Sequence, residues 1–213
     1  MSFESMAEAG TGFFHPWSQD KFLDQRGMED SSGICFAVAA IWIEQQFLAA
    51  RGGGGGWENF KGYFHPESGR KTAAKLQDEH NEALESMAAE KDVKKIVIAK
   101  LVPALTYLKK SGLGQKGACV TDSLTTITDF VTAELGFYFI AAHGKDGGHA
   151  FAVHHKGPPL RSITFFDPNY GKVTWNSELY YRKEFLSFFS SVRSLVYEGE
   201  LSGSTVVLRI GKL

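Results

Sequence analysis

Cys35 stands in Ser31-Ser32-Gly33-Ile34-Cys35-Phe36-Ala37-Val38, His149 in Gly148-His149-Ala150-Phe151, and Asp167 in Phe165-Phe166-Asp167-Pro168-Asn169. A thiol supplies a nucleophile and an imidazole can take and return its proton. A carboxylate can hold the imidazole's second nitrogen and so fix its tautomer and orientation. In this chain order the three are the parts from which a cysteine protease is built.

Each residue falls where an element should begin or end. Ser31, Ser32 and Gly33 offer N-cap chemistry, and Phe36 to Ala50 then run without Gly or Pro until Arg51 meets a run of glycines. Cys35 is thereby expected in the first turn of a helix, where unpaired amides and the positive end of the helix dipole lower a thiol pKa. The Cys35 amide is the expected donor to a developing oxyanion. An apolar helix is equally a home for an inert buried thiol, so this reading stands beside the first. Gly136 to His143 and Gly148 to His155 read as the strands of a hairpin, with His149 at the start of the second. Asp167 closes a third β-like run, Arg161 to Phe166, although Asp before Pro is also an ordinary turn starter.

The histidines clustered between His143 and His155 raise the question of a metal. At about 3.4 Å per residue, His149 and His155 on one strand face are roughly 20 Å apart, and His154 points to the other face. No zinc spacing is present, so no metal site is expected, and His154 and His155 are read as structural. Cys119 has no setting like that of Cys35 and is also read as structural. Two cysteines in 213 residues form no disulfide framework, and reduced thiols are expected.

Around these residues the chain divides into helices first and strands later, which is α+β. Residues 1 to about 30 read as an irregular arm in which Phe13, Phe14 and Trp17 could dock. Arg70 to Lys91, Val93 to Lys110 and Leu124 to Leu135 read as helices, with a break or kink expected at Pro103. After the hairpin come a strand at Lys172 to Asn176, a helix from Ser177 to Ser190, and strands at Leu195 to Tyr197 and Ser204 to Ile210. The glycines from 52 to 56 read as a flexible connector.

Gly33-Ile34-Cys35, Gly148-His149-Ala150 and Phe166-Asp167-Pro168-Asn169, in this order and at these separations, resemble the YopT/AvrPphB-type cysteine peptidases, bacterial effector and toxin domains with a papain-like core. The resemblance spans Ser31 to Gly171. It implies a papain-like fold for residues 31–213, with the Cys helix packed against a C-terminal antiparallel sheet and residues 1–30 as an N-terminal arm. It implies Cys35 as nucleophile, His149 as general base and then acid, and Asp167 as the orienting residue. The implied partners are a protein substrate and a secretion chaperone or an inhibitor protein, with no cofactor. Papain-like enzymes place a Gln shortly before the nucleophile as an oxyanion donor, whereas Glu29 and Asp30 occupy that neighbourhood here. An ionised carboxylate cannot donate, so Gln25, Ser31, Ser32 or a backbone amide stand as alternatives. A transglutaminase or deamidase uses the same three residue types in the same order, and a non-catalytic binding module with Cys35 in its core is a third reading.

A net charge of −1 provides no positive field for nucleic acid, and the chain is long enough and apolar enough, at 43% hydrophobic, for one packed domain. No apolar run reaches the length of a membrane span. The N-terminus carries acids where a signal peptide carries bases, so ordinary Sec export is not expected. The resemblance implies delivery by a specialised secretion system, or release from a larger toxin, into another cell's reducing cytosol.

Overall fold

Gly136-Phe-Tyr-Phe-Ile-Ala-Ala-His143 has no polar face, so a strand made from it must be covered on both sides. The computed structural model describes the chain apart from residues 1, 21–33, 53, 88–89, 91–92, 145–147, 160, 177–180, 198–200 and 202, and describes residues 93–95, 97 and 98 by their backbone. It covers this strand in that way. The strands are β1 (Phe13–Pro16), β2 (Leu113–Thr121), β3 (Gly136–His143), β4 (Gly148–Lys156), β5 (Ser162–Asp167), β6 (Gly171–Trp175) and β7 (Thr205–Lys212). They form one antiparallel sheet in the order β1-β6-β5-β4-β3-β7-β2.

Strand alternation sends Phe137, Phe139, Ala150, Ala152 and Phe166 to one face and Tyr138, Ile140, Phe151, Val153 and Phe165 to the other. Helices α2 (Cys35–Gly52), α3 (Gly56–Tyr63), α4 (Glu67–Ser86) and α5 (Val93–Lys109) cover the first face. Helices α1 (Phe3–Ala9), α6 (Leu124–Ala133) and α7 (Tyr181–Ser191) cover the second. The architecture is α+β and papain-like, with the Cys-bearing helix on the sheet.

Helix α2 is apolar all round at its start, and every residue from Cys35 to Ile43 is buried. Its position along the sheet is set by large rings. Trp42 stacks on Phe166 with centroids 5.2 Å apart and planes inclined by 5°, and Phe36 meets Phe139 edge-on at 5.1 Å. Phe166 immediately precedes Asp167, so the same contact ties α2 to the end of β5.

Several expectations are corrected. Of the arm expected to be irregular, Phe3–Ala9 and Phe13–Pro16 are regular: Ser2 caps α1 by accepting the Ser5 amide at 3.1 Å, and β1 pairs with β6 at the sheet edge, while residues 21–30 lie outside the described residues. Phe14 packs on Phe3, whereas Phe13 is 61% exposed and docks nowhere. No break occurs at Pro103, since α5 runs through it; the helix is held by Leu101, Ala104 and Leu108, whose burial outweighs the lost backbone bond. Leu195 and Val196 belong to a π-helical turn, Val192–Val196, that continues from α7 in place of a strand. Strand β2, with its many small and polar residues, gave no clear alternation and was not anticipated; pairing with β7 makes it a strand. Ser31, Ser32, Gly33, Gln25, Glu29 and Asp30 lie outside the described residues, as does the start of the helix expected from Ser177.

Trp42→Ala removes the ring that seats α2 on Phe166, and a loss of about 3–5 kcal/mol in unfolding free energy by urea denaturation is expected. A loss below about 1 kcal/mol would show that α2 is positioned by other contacts.

Candidate active site

His149 comes from central strand β4 and Asp167 from the end of its neighbour β5. Their meeting follows from register. Ala152 pairs with Phe166, so Asp167 lies opposite position 151 and diagonal to His149 on the same face. His149 Nε2 donates to Asp167 Oδ1 at 2.9 Å, and Asp167 is fully buried. The ring is flanked by Phe151 at 4.6 Å and Tyr197 at 4.8 Å between centroids.

Cys35 approaches from the helical face opposite to that of Phe151. Thiol and imidazole still meet because both sit at a strand end, beyond the last β4–β5 pair. The His149 imidazole and the Ala150 amide lie beside the Cys35 sulfur at the wall of one cleft, close enough to act on its charge. Since Nε2 is committed to Asp167, Nδ1 is the nitrogen that faces the sulfur. The structure thus brings together all three residues singled out from sequence.

The electrostatics favour an ion pair. Burial opposes the Cys35 thiolate, but the His149 cation, its hydrogen bond and the Ala150 amide outweigh burial, and the thiol pKa falls below its ordinary value. Burial also opposes the His149 cation, yet the charges of Asp167 and Cys35 and the bonds to both raise the imidazole to about 10. Cys119, on β2, has no such partner, and burial raises its thiol pKa.

Asp167 is held by more than His149. The Asn169 amide donates to Oδ1 at 2.9 Å, and the Tyr197 hydroxyl donates to Oδ2 at 2.9 Å. Asn169 Nδ2 donates in turn to the Tyr197 oxygen at 3.2 Å, and Gln19 Nε2 donates to Asn169 Oδ1 at 2.6 Å. The N-terminal segment braces the same turn through its backbone, Trp17 N–H to Tyr170 O at 3.0 Å and Gln19 N–H to Pro168 O at 2.9 Å. Gly171 closes that turn with φ at 123°, and a Cβ there would lie 2.2 Å from the His15 carbonyl oxygen. Tyr197, Asn169 and Gln19 were missed as site residues. Asn169 alone carried a signal, as the residue two after Asp in an Asp-Pro-Asn turn; Gln19 and Tyr197 are distant in sequence.

Cys35 and His149 open onto a cleft of about 690 Å³ walled by α4, α5 and the ends of β3 and β4, with Asp167 buried behind the imidazole. Gln77 on α4 is buried, accepts the Ala37 amide of α2 at 3.4 Å and donates to Asn81 at 3.1 Å, tying the cleft wall to the Cys helix. His80 stacks on Phe36 at 3.7 Å and its Nδ1–H donates to the Lys100 carbonyl at 2.8 Å. His155 is taken up elsewhere, with Nδ1 bonded to Glu134 O and Nε2 to Tyr181, and His154 stacks on Phe137.

Fold and cleft describe a papain-like cysteine peptidase, and comparison with known proteins gives the family. Residues 5–197 match the model of the Peptidase_C58 family, described as Yersinia/Haemophilus virulence surface antigen, and the chain belongs to that family. Among solved structures, the crystal structure of the Pseudomonas avirulence protein AvrPphB is similar in fold, with a TM-score of 0.64 and 14% identity over 99% of this chain and 100% of that one. No curated protein matches. The protein is a cysteine peptidase.

At a pH of about 5.5, brief iodoacetamide treatment of native protein is expected to label Cys35 and spare Cys119, because only the first has an adjacent cation. Peptide mass mapping reads the ratio, and His149→Ala should abolish the preference. Gly171→Ala should cost about 1–3 kcal/mol in thermal unfolding, through backbone strain and the clash with the arm, and should weaken the same Cys35 preference by displacing Asp167.

Proposed function

We propose that Cys35, His149 and Asp167 are the catalytic residues of an endopeptidase that cleaves protein substrates through a thioester. One observation carries the reading: an imidazole bonded through Nε2 to a buried carboxylate, with a thiol beside it at the wall of an open cleft. The Cys35 thiolate attacks the scissile carbonyl carbon, and the electron pair moves to the oxygen, which the Cys35 amide faces as donor. As the intermediate collapses, the C–N bond breaks and His149 Nδ1–H gives its proton to the leaving amine. Water then attacks the thioester, His149 takes its proton, and the thiolate departs as the acid is released.

Asp167, held by the Asn169 amide and the Tyr197 hydroxyl, orients the ring and stabilises its charge. Residues 31–213 are the catalytic domain and residues 1–30 its N-terminal arm, an arm that lends β1 to the sheet and braces the Asp167 turn. The virulence description of the family and the fold likeness to an avirulence protein support a role as a bacterial effector or toxin. It is delivered by a specialised secretion system and acts in a target cell's cytosol, with a secretion chaperone or inhibitor protein as a further partner.

In cells expressing active protein, a survey of new protein N-termini should reveal cleavage products that are absent with Cys35→Ala or His149→Ala, both of which should fold. Asp167→Asn should retain more activity than Asp167→Ala, since an amide oxygen can still orient the imidazole. Full activity in Cys35→Ala would end the proposal. The rate should rise with pH as the pair loses its first proton, that of the lowered Cys35 thiol, and fall again as His149 deprotonates toward about 10. A falling limb centred at or below the ordinary imidazole value of about 6.5 would contradict the ion pair.

A further inference from the structure

Among the described residues, the cleft beside Cys35 carries one fixed charge of its own. Cys35 and His149 neutralise each other, and Asp167 is buried behind His149. Of the other residues on the cleft wall none is Asp or Glu, among the described residues, while Lys100 of α5 contributes an ammonium group. Its position is defined from two sides. The Lys100 carbonyl is anchored by His80; burial lowers the pKa of His80 and that of His143, the latter to about 4, and the nearby ammonium adds to both effects. Both histidines are on the cleft wall and are neutral at physiological pH, so they frame the ammonium without competing for an anion.

Partial burial lowers the Lys100 pKa, and no carboxylate among the described residues acts against that effect. A half-buried ammonium with no anionic partner has lost part of its hydration and gained nothing in return. Such a charge at the wall of a substrate cleft is a counter-ion site. Lys61, Lys71 and Lys75, by contrast, pair with Glu58, Glu67 and Glu79 on exposed helix faces. Around Lys100 the wall is apolar at Leu84, Leu101 and Leu201, which raises the weight of a charge–charge contact by excluding water.

Building on the endopeptidase reading, we propose that Lys100 selects substrates carrying an acidic side chain, Asp or Glu, close to the scissile bond. The substrate carboxylate lies against the ammonium between His80 and His143, with Asn81 on the same wall as a further amide donor. Lys100 is a specificity determinant and takes no part in bond making or breaking.

The test measures alkylation of Cys35 by peptidyl chloromethyl ketones that differ at a single side chain, Glu, Gln or Lys, moved through the positions next to the reactive carbon. In the native protein the Glu probe should react about tenfold faster than its Gln counterpart at one position, with the Lys probe slower still. Lys100→Arg should keep that preference and Lys100→Met should abolish it, while the rate with iodoacetamide stays unchanged in both. Equal rates for Glu and Gln in native protein overturn the proposal, as does a preference that survives Lys100→Met, or peptidyl probes that never reach a Cys35 reactive to iodoacetamide; the endopeptidase reading stands in each case. A Cys35 no more reactive toward iodoacetamide than Cys119 removes the endopeptidase reading itself, and this inference with it.

Discussion

Helix α2 has no polar face to offer water from Cys35 to Ile43, and that constraint organises the molecule. Such a helix must be enclosed, and the enclosure here is the sheet on one side and α3, α4 and α5 on the other. Its first turn is different from the rest. There the wall opens into the cleft, and Cys35 and Phe36 are where the buried first half of the helix meets that space. Because Trp42 is stacked on Phe166 and Phe36 abuts Phe139, the thiol cannot slide along the sheet without unpacking buried rings. The rigidity that positions the sulfur is therefore a property of the core.

Burial would ordinarily keep a thiol and an imidazole neutral. The balance is reversed by placing three groups so that each offsets the desolvation of its neighbour: Asp167 stabilises the His149 cation, and His149 stabilises the Cys35 thiolate. A buried carboxylate is costly in turn, and its cost is met by donors, the Asn169 amide and the Tyr197 hydroxyl, in addition to His149. This explains why the arm matters to the chemistry. Trp17 and Gln19 bind the turn that presents Asn169, so the N-terminal segment supports the charge network from behind.

The likeness in fold to AvrPphB extends along the whole chain although only 14% of residues are identical. Within this fold the cleft wall is a place where chemistry can vary, because α4 and α5 pack through Leu76, Ala104 and Leu108 while their other faces line the cleft or meet solvent. The residues facing the thiol from that side, Gln77, His80, Asn81 and Lys100, are polar and do not form the sheet's core. Substrate choice can therefore change there while the sheet and the Cys helix keep their packing.

Local patterning was enough to reveal the parts with strong local signals. The hairpin, the long apolar helix, the helices on either side of residue 92, and Cys35, His149 and Asp167 at element ends all follow from periodicity, turn residues and motif order. Pro103 shows where a local rule yields, since the helix around it is held by packing. Edge strands β1 and β2 had weak signals because pairing with β6 and β7 supplies what their sequences lack. The nitrogen of His149 that faces each partner, the Tyr197 and Asn169 bonds to Asp167, and the Lys100 ammonium in the cleft were decided only in three dimensions. They join residues from distant parts of the chain, Gln19 to Asn169 and Asp167 to Tyr197 among them. Contacts of that kind leave no spacing in a sequence, because they arise when the sheet and helices pack and not from any neighbouring residue.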